Sequence, residues 1–377
     1  MDAQLEVSTG QSAFLDRCGW VKLEGMSLPS ELPIVQAPMA GGTSTPALTA
    51  AVADAGGYGF VAAGYLTAEG LREAIATTRT LTGAPFGVNL FVPSVPGDPA
   101  EVAVYAAALQ PEAERLGVAL GEPRWEDDAY EAKLDVVEST HVHLASFTFG
   151  CPTPEIVDQL HRADVQVAVT VTSVLEAELA GDAGADLLTV QGTEAGGHQG
   201  SFADLHPNHR PLLSLLAQVR EMTGMPVIGA GGVMTGRDAA TVLGAGAIAV
   251  QLGTALLCTP EAGTSAPYRQ ALLDGHYPET ILTRAYSGRF ARGLANRFAL
   301  DHDGHAPQAY PEVHHLTRPL RAAATQAGDA SVPNLWAGTG WRRLTAEPAA
   351  TIVRRIAEEA KSADGSAPRW QQRKIHW

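Results

Sequence analysis

The sequence predicts an α/β fold, a (β/α)8 barrel with a helical insertion near residues 97–138 and a mainly helical C-terminal extension. Three observations lead there. Eight short apolar runs recur between residues 33 and 251, alternating with helical segments, and eight βα units are the number that closes a barrel. The run at 185–190 is apolar on both faces, with Leu187, Leu188 and Val190, as a strand inside a parallel sheet is. The competing architecture, a doubly wound open sheet, announces itself by a Gly-x-Gly-x-x-Gly turn after its first strand, and Gly41-Gly42 is too short for one.

Taken in order, residues 1–30 are mixed, with Trp20 and Val21 assigned to a short element. The first strand is expected over 33–37 and is broken by Pro38-Met39-Ala40-Gly41-Gly42. Pro46 then opens an alanine-rich helix that Gly56-Gly57 ends. Strand 58–62, helix 68–80 and strand 85–91 follow, the last carrying Asn89. Residues 97–138 are charged and alanine-rich and predict one or two inserted helices before the fourth strand, 141–147. Helix 154–163, strand 165–171, helix 173–183 and strand 185–191 continue the period. Helix 212–223, strand 226–230, helix 236–243 and strand 247–251 complete it. After Leu257 the strand pattern stops. Residues 260–325 read as helices and loops with a turn at 301–305, then a glycine turn at 336–340 and an amphipathic helix at 348–361. The expected division is a barrel over 1–258 and an extension over 259–377 packed on it.

The chain of 377 residues is 45% apolar and 18% charged, enough apolar content for a large core. Its net charge of −15, from 26 basic and 41 acidic residues, argues against a nucleic-acid partner. Cys18, Cys151 and Cys258 are widely spaced, which fits a reducing, cytoplasmic setting better than a disulfide framework or zinc site. The first residues, with Asp2, Glu6 and Asp16, do not resemble a signal peptide, and no apolar run reaches membrane-spanning length. Oligomeric state is left open.

In a barrel, the chemistry is expected at the C-terminal ends of the strands. Ala37, Pro38 and Met39 fall after the first strand, Asn89 on the third, and Gln191, Gly196, Gly197 and His198 on and after the sixth. Gly231 and Gly232 follow the seventh, and Gln251, Leu252, Gly253 and Thr254 end the eighth. The last two loops are the usual phosphate site of such barrels, and both are glycine-rich and run toward helix N-termini. A phosphate there, with the amides of Asn89, Gln191 and Gln251, suits flavin mononucleotide (FMN). His198 is the one side chain in its loop that titrates near neutrality; a solvated histidine is the plain alternative.

The segments Gln36-Ala37-Pro38-Met39-Ala40-Gly41-Gly42, Gly87-Val88-Asn89-Leu90-Phe91, 191–200, Gly229-Ala230-Gly231-Gly232-Val233 and Gln251-Leu252-Gly253-Thr254 resemble the nitronate monooxygenase family. The segment from Tyr286 to Gly293 is similar to that family's barrel-following part. The resemblance implies an FMN enzyme that oxidises alkyl nitronates, such as propionate 3-nitronate, or nitroalkanes with O2 to carbonyl compounds and nitrite. It implies that Asn89, Gln191, Gly196, Gly232 and residues 251–254 contact FMN and that His198 is the active-site histidine, with Glu194 of unknown orientation. The insertion is longer than the resemblance leads one to expect, and Thr339 stands where relatives often carry Gln. The alternative is an NAD(P)H-dependent flavin reductase of enoyl-acyl-carrier-protein or quinone type on the same barrel; a flavin-binding module without catalysis is a third.

Other candidates are weaker. His198, His206 and His209 lack a carboxylate or Cys at ligand spacing, so no metal is expected. His141 and His143 are expected on one strand face, His314-His315 on the surface, and Cys151 at the pocket without a base. Arg289 and Arg292 are either surface charges or cations for an anionic substrate.

Overall fold

The computed structural model describes residues 13–15, 21–23 and 28–363. Trp20, Cys18 and the acidic residues Asp2, Glu6 and Asp16 lie outside the described residues. Strands β1 (Ala13–Leu15) and β2 (Val21–Leu23) form an antiparallel pair.

The barrel alternates strands with helices. Its first half is β3 (Ile34–Gln36), α1 (Pro46–Asp54), β4 (Gly59–Ala62), α2 (Ala68–Leu81) and β5 (Phe86–Phe91). After α3 (Pro99–Leu116) and α4 (Tyr130–Thr140) come β6 (Leu144–Thr148), α5 (Pro154–Arg162), β7 (Gln166–Val171), α6 (Val174–Asp182) and β8 (Leu187–Gln191). Then follow the two-residue β9 (Gly197–His198), α7 (Leu212–Thr223), β10 (Val227–Ala230), α8 (Gly236–Gly244) and β11 (Ala249–Leu252). Eight of these strands pair in parallel, in the order β3-β11-β10-β8-β7-β6-β5-β4. A parallel bridge from Val35 to Tyr58 joins the two ends, so the sheet is closed. Val35, Phe60, Leu144, Ala168, Leu187, Ile228 and Ala249, one per strand from seven strands, pack together as an interior plug. The outward faces of the strands meet the helices in a larger core.

The sequence-predicted elements appear within a few residues, with four differences. The inserted segment holds two helices, but only α3 is an addition; α4 packs on α2 and β5 as a barrel helix. The extension carries α9 (Ala266–Asp274), β12 (Thr280–Thr283), β13 (Ala291–Leu294), α10 (Arg297–His302), α11 (Glu312–Gln326) and α12 (Ala349–Ala363). It is therefore not purely helical: β12 and β13 pair antiparallel, and β13 pairs with β9 of the barrel. Residues 301–305, expected as a turn, are helical, ending α10 and forming a 3-10 turn. No long helix follows β11; α12 packs on α8 and α1 instead and stands in the place of the eighth barrel helix. The chain between β11 and α12 is thus an excursion from the last βα unit. It forms a second core with α3, built on Tyr105, Leu109, Tyr286, Phe298, Val313 and Leu320.

Candidate active site

Strand β8 delivers its last residue, Gln191, to the barrel mouth. A primary amide both donates and accepts. Gln191 uses both ends: Nε2 donates to the His198 carbonyl at 3.0 Å, and Oε1 accepts from Gly200 N–H at 2.7 Å. The loop from 191 to 200 is thereby folded back on itself. On its far side β9 pairs with β13, Ala291 opposite His198. Barrel and extension together therefore fix the imidazole.

His198 Nε2 lies 2.8 Å from Ser287 Oγ, and Ser287 Oγ lies 3.2 Å from the Arg289 carbonyl. Three rings surround the imidazole: Trp336 at 5.4 Å, Phe149 at 5.6 Å and Tyr310 at 5.8 Å between centroids. Arg289 is 3% exposed and lies over the Phe149 ring at 4.1 Å. Its Nη2 donates to the Ser201 carbonyl, and its Nε has no partner among the described residues. Arg321 donates to Thr317, Asn334 and the His314 carbonyl, none of them charged. The His198 ring keeps part of its surface open, yet burial among these groups pulls its pKa down to about 3, with Arg289 and Arg321 pushing the same way. His198 is therefore neutral at physiological pH. Burial likewise brings Arg321 down to about 10, and it remains a cation.

The loops after β10 and β11 form the other side of the mouth. Gly231 has φ +130° and Gly232 φ +70°, conformations that favour glycine. A Cβ on Gly231 would come within 3.2 Å of Ala195 N. The N–H groups of Gly231, Gly232, Gly253 and Thr254 find no acceptor among the described residues. The amides at and just before the start of α8 are engaged: Asp238 accepts from Met234 and Thr235, and Glu359 from Gly236. The open donors therefore precede the helix rather than belong to it. Such a bare row of main-chain donors fits a phosphate. The extension borders it, Gly338 N–H donating to Thr254 Oγ1 at 2.9 Å and Thr339 N–H to the Glu194 carbonyl at 3.0 Å.

Most expected site residues converge here. A Cβ on Gly253 would lie 3.4 Å from Ala37 Cβ and 4.0 Å from Met39 Sδ. Pro38 joins those two residues. Asn89 is buried and gives Nδ2 to Ser146 and Thr148, while its Oδ1 accepts from no described group. The Gln251 side chain bonds to no described residue, and Leu252 is fully buried in the wall, leaving only its main chain for a ligand. At Gly197 the space where a Cβ would stand is open, while Gly196 lies against the main chain of Ala337 and Gly338.

The expected surface position of His314-His315 and the shared strand face of His141 and His143 are corrected, and the readings left open are resolved. Glu194 points away from the imidazole, Oε2 accepting from Leu212 N–H at the start of α7. Arg289 is buried, and the half-buried Arg292 donates to the Thr193 carbonyl. His141 caps α4 in the left-handed conformation, and His143 precedes β6 at the opposite end of the barrel, 3.4 Å from Tyr58 OH. His315 is buried and faces Glu126, and His314 stacks on Tyr65. Cys151 is a thiol that burial raises to about 11, so it is no nucleophile. His206 and His209 line a separate cleft of about 540 Å³ with Glu176 and Asn208. Among the described residues no group of three His, Cys, Asp or Glu converges on a metal position. Nor is any described helix long and apolar enough to cross a membrane.

Sequence reasoning missed Ser287 as the partner of His198, and the rings Phe149, Tyr310 and Trp336. Phe149 had a usable signal, since it follows a predicted strand at the end where barrel sites lie. Tyr310 had none, because it arrives from the excursion, whereas Trp336 opens the glycine turn in which Thr339 already marked a departure from the family pattern.

A closed barrel that gathers a neutral histidine, the guanidiniums of Arg289 and Arg321 and a row of unengaged main-chain amides at one rim has the architecture of a barrel enzyme. The chain belongs to the nitronate monooxygenase family, whose model matches residues 27–359, and is an oxidoreductase. It is 38% identical over 343 residues to a probable nitronate monooxygenase of Staphylococcus aureus (strain MSSA476), covering 88% of this chain and 95% of that protein. Nitroalkane oxidase from Streptomyces ansochromogenes matches at 49% identity with a TM-score of 0.87, over 89% of this chain and 98% of that one. FabK from Thermotoga maritima matches at 26% identity with a TM-score of 0.70, over 89% and 94%.

Proposed function

We propose that the protein is an FMN-dependent nitronate monooxygenase that oxidises alkyl nitronates with O2 to carbonyl compounds and nitrite. The observation that carries this reading is the pairing of a neutral His198 with a row of unengaged amides at Gly231, Gly232, Gly253 and Thr254 on one barrel rim. The residues fit the cofactor. Those amides would hold the phosphate, and Asn89 Oδ1 and the Gln251 amide have hydrogen-bonding capacity left for the edge of a flavin ring. When bound, the flavin supplies the electron-transfer chemistry that no side chain here possesses.

The chain's own residues bind, orient and handle the proton. A neutral imidazole has one N–H, so with Nε2 donating to Ser287 it can accept a proton from the carbon of a neutral nitroalkane but keeps no donor for a nitronate oxygen. If the Ser287 hydroxyl donates to the Arg289 carbonyl, Nε2 is the imidazole donor and Nδ1 the free acceptor. Arg289 and Arg321 raise the positive potential around the ring, which favours an anion in an otherwise acidic protein. Phe149, Tyr310 and Trp336 exclude water from the same space.

The test is the visible spectrum of the purified protein, with release and identification of its flavin, followed by oxygen uptake with ethyl nitronate and propionate 3-nitronate. Yellow protein, oxygen uptake and nitrite support the reading. Rapid anaerobic reduction of the flavin by NADH or NADPH would replace it with the reductase reading.

A further inference from the structure

We propose that Tyr65 determines which substrate lengths fit the chamber around His198, and that the inserted segment holds it there through Asp128. The choice of ligands in the test, though not the geometry, rests on the nitronate reading.

Five rings form a connected layer at the mouth, bridged across its middle by Phe149 and Tyr310 at 5.4 Å. His198 meets Phe149 at 5.6 Å, Phe149 meets Phe91 at 4.6 Å, and Phe91 meets Tyr65 at 5.7 Å. Tyr310 OH donates to Tyr65 OH at 3.1 Å, and Tyr310 returns to His198 at 5.8 Å. Tyr65 is thus the far wall, and it is braced from behind by His314, stacked at 4.3 Å and 6°. On this proposal, an alkyl chain extending from a nitro group at His198 along this ring layer would meet it.

The placement of Tyr65 is imposed. Its φ of +67° lies in the left-handed region, which bulky L-residues rarely occupy. Such a conformation persists only where surrounding structure over-determines it, and it gathers at functional sites. Here the restraint is Asp128 of the inserted segment, whose Oδ1 accepts from Tyr65 N–H at 3.0 Å. Asp128 and Ala129 are themselves left-handed, at φ +57° and +52°.

Asp128 is in turn fixed by Lys133, which is 1% exposed, its Nζ 2.7 Å from Oδ2. The contact is close, although its direction lies off the hydrogen-bond axis, since the ammonium has no partner that meets hydrogen-bond geometry. Burial lowers the Lys133 pKa and raises that of Asp128, so both charges are held against their preference for water. A buried ion pair is weak evidence for added stability, and a role in fixing one arrangement accounts for it better. The barrel group held by that carboxylate is the main chain of Tyr65.

The experiment uses the full chain with its flavin. Straight-chain primary nitroalkanes of two, four and six carbons are titrated by calorimetry, and the matching nitronates are assayed by oxygen uptake. Tyr65→Ala should improve the six-carbon to two-carbon affinity ratio about 10-fold or more. The same ratio in KM should move while kcat with the two-carbon nitronate changes far less. Tyr65→Phe keeps the ring and should keep the wild-type ratio. The double variant Asp128→Ala with Lys133→Met removes the tether without leaving a lone buried ammonium. It should show the Tyr65→Ala shift while keeping a cooperative thermal transition and its flavin. An unchanged ratio in Tyr65→Ala, or in the folded double variant, overturns the proposal, as does failure of the wild type to bind a nitroalkane of any length. If the wild type binds the series but oxidises no nitronate, the functional reading falls and the calorimetric ratio still decides this one.

Discussion

Nε2 of His198 and Oγ of Ser287 stand 2.8 Å apart and join the loop after β8 to the excursion that follows β11. The hydroxyl fixes the orientation of a ring that is flanked by Phe149, Tyr310 and Trp336. Ser287→Ala should leave the fold and the flavin in place and lower kcat/KM with a nitronate about 10- to 100-fold, the scale of a catalytic group displaced by about 1 Å. His198→Asn should lose more, with the visible spectrum kept. Steady-state oxygen uptake alongside that spectrum checks both, and full activity in His198→Asn would remove the imidazole from the mechanism.

The depressed pKa of His198 has a sign that can be read in two ways. An imidazole at about 3 stays neutral throughout the working range, so kcat/KM should show no limb near 6.5 attributable to it. A pH–rate profile corrected for the ionisation of the nitronate measures this. Stability should move in the opposite sense from an ion-paired histidine. Below 6.5 the unfolded chain takes up protons that the folded His198 refuses, so folding weakens as pH falls. Burial depresses His143, His302, His314 and His315 as well. A fully buried histidine contributes at most about 1.4 kcal/mol per pH unit below 6.5, and the partly exposed His143 and His302 contribute less because solvent screens them. Thermal unfolding between pH 7 and 5 should show a falling midpoint.

The barrel was legible because its signals are local. Each strand is a short apolar run closed by glycine or a helix start, and the loop rule then placed Asn89, Gln191, His198 and the two glycine pairs at one rim. What escaped depends on long-range pairing. Thr280-Ile281-Leu282-Thr283 is too short to mark a strand, and β13 gains its second partner from β9, far back in the chain. His314 and His315 looked like surface residues because a single-residue reading cannot see Tyr65 or Glu126 arriving from other loops. Gln191 was assigned to the cofactor from its position, its amide and the family resemblance; its two bonds to the 198–200 main chain are what the structure adds.

Those two bonds give Gln191 a measurable role. Gln191→Ala removes both and frees the loop that carries His198, while leaving Ser287 able to hold the ring. Activity should fall about 10-fold or more, again through misplacement. Gln191→Glu keeps an acceptor for Gly200 N–H but faces the His198 carbonyl with a second acceptor, so it should not restore the loss. Comparison of kcat/KM across the two variants decides it, and wild-type activity in Gln191→Ala would show the clamp to be dispensable.

Gly231 tests the phosphate rim. Its φ of +130° is closed to L side chains, and a Cβ would crowd Ala195 N at 3.2 Å. Gly231→Ala should therefore distort the main chain that presents the open amides. The expected result is a protein that folds but loses flavin on gel filtration, with the dissociation constant raised about 10-fold or more. Fluorescence of released flavin measures it, and full retention would place the phosphate elsewhere.

The last helix carries the final prediction. Because α12 occupies the eighth wall position, against α8 and α1, its buried face belongs to the barrel although the excursion separates it from β11. Ile352, Val353 and Ile356 are at most 1% exposed and lie in the main core rather than in that of the excursion. Ile356→Ala removes buried methyl groups and leaves a cavity, which costs about 2–5 kcal/mol. An appendage peripheral to the barrel would instead melt separately, giving a second transition and leaving the main one unmoved. Denaturant unfolding followed by tryptophan fluorescence and far-ultraviolet dichroism distinguishes the two. Coincident transitions shifted to lower denaturant are expected, because a parallel sheet cannot leave one outer face in water without losing the burial that holds its strands.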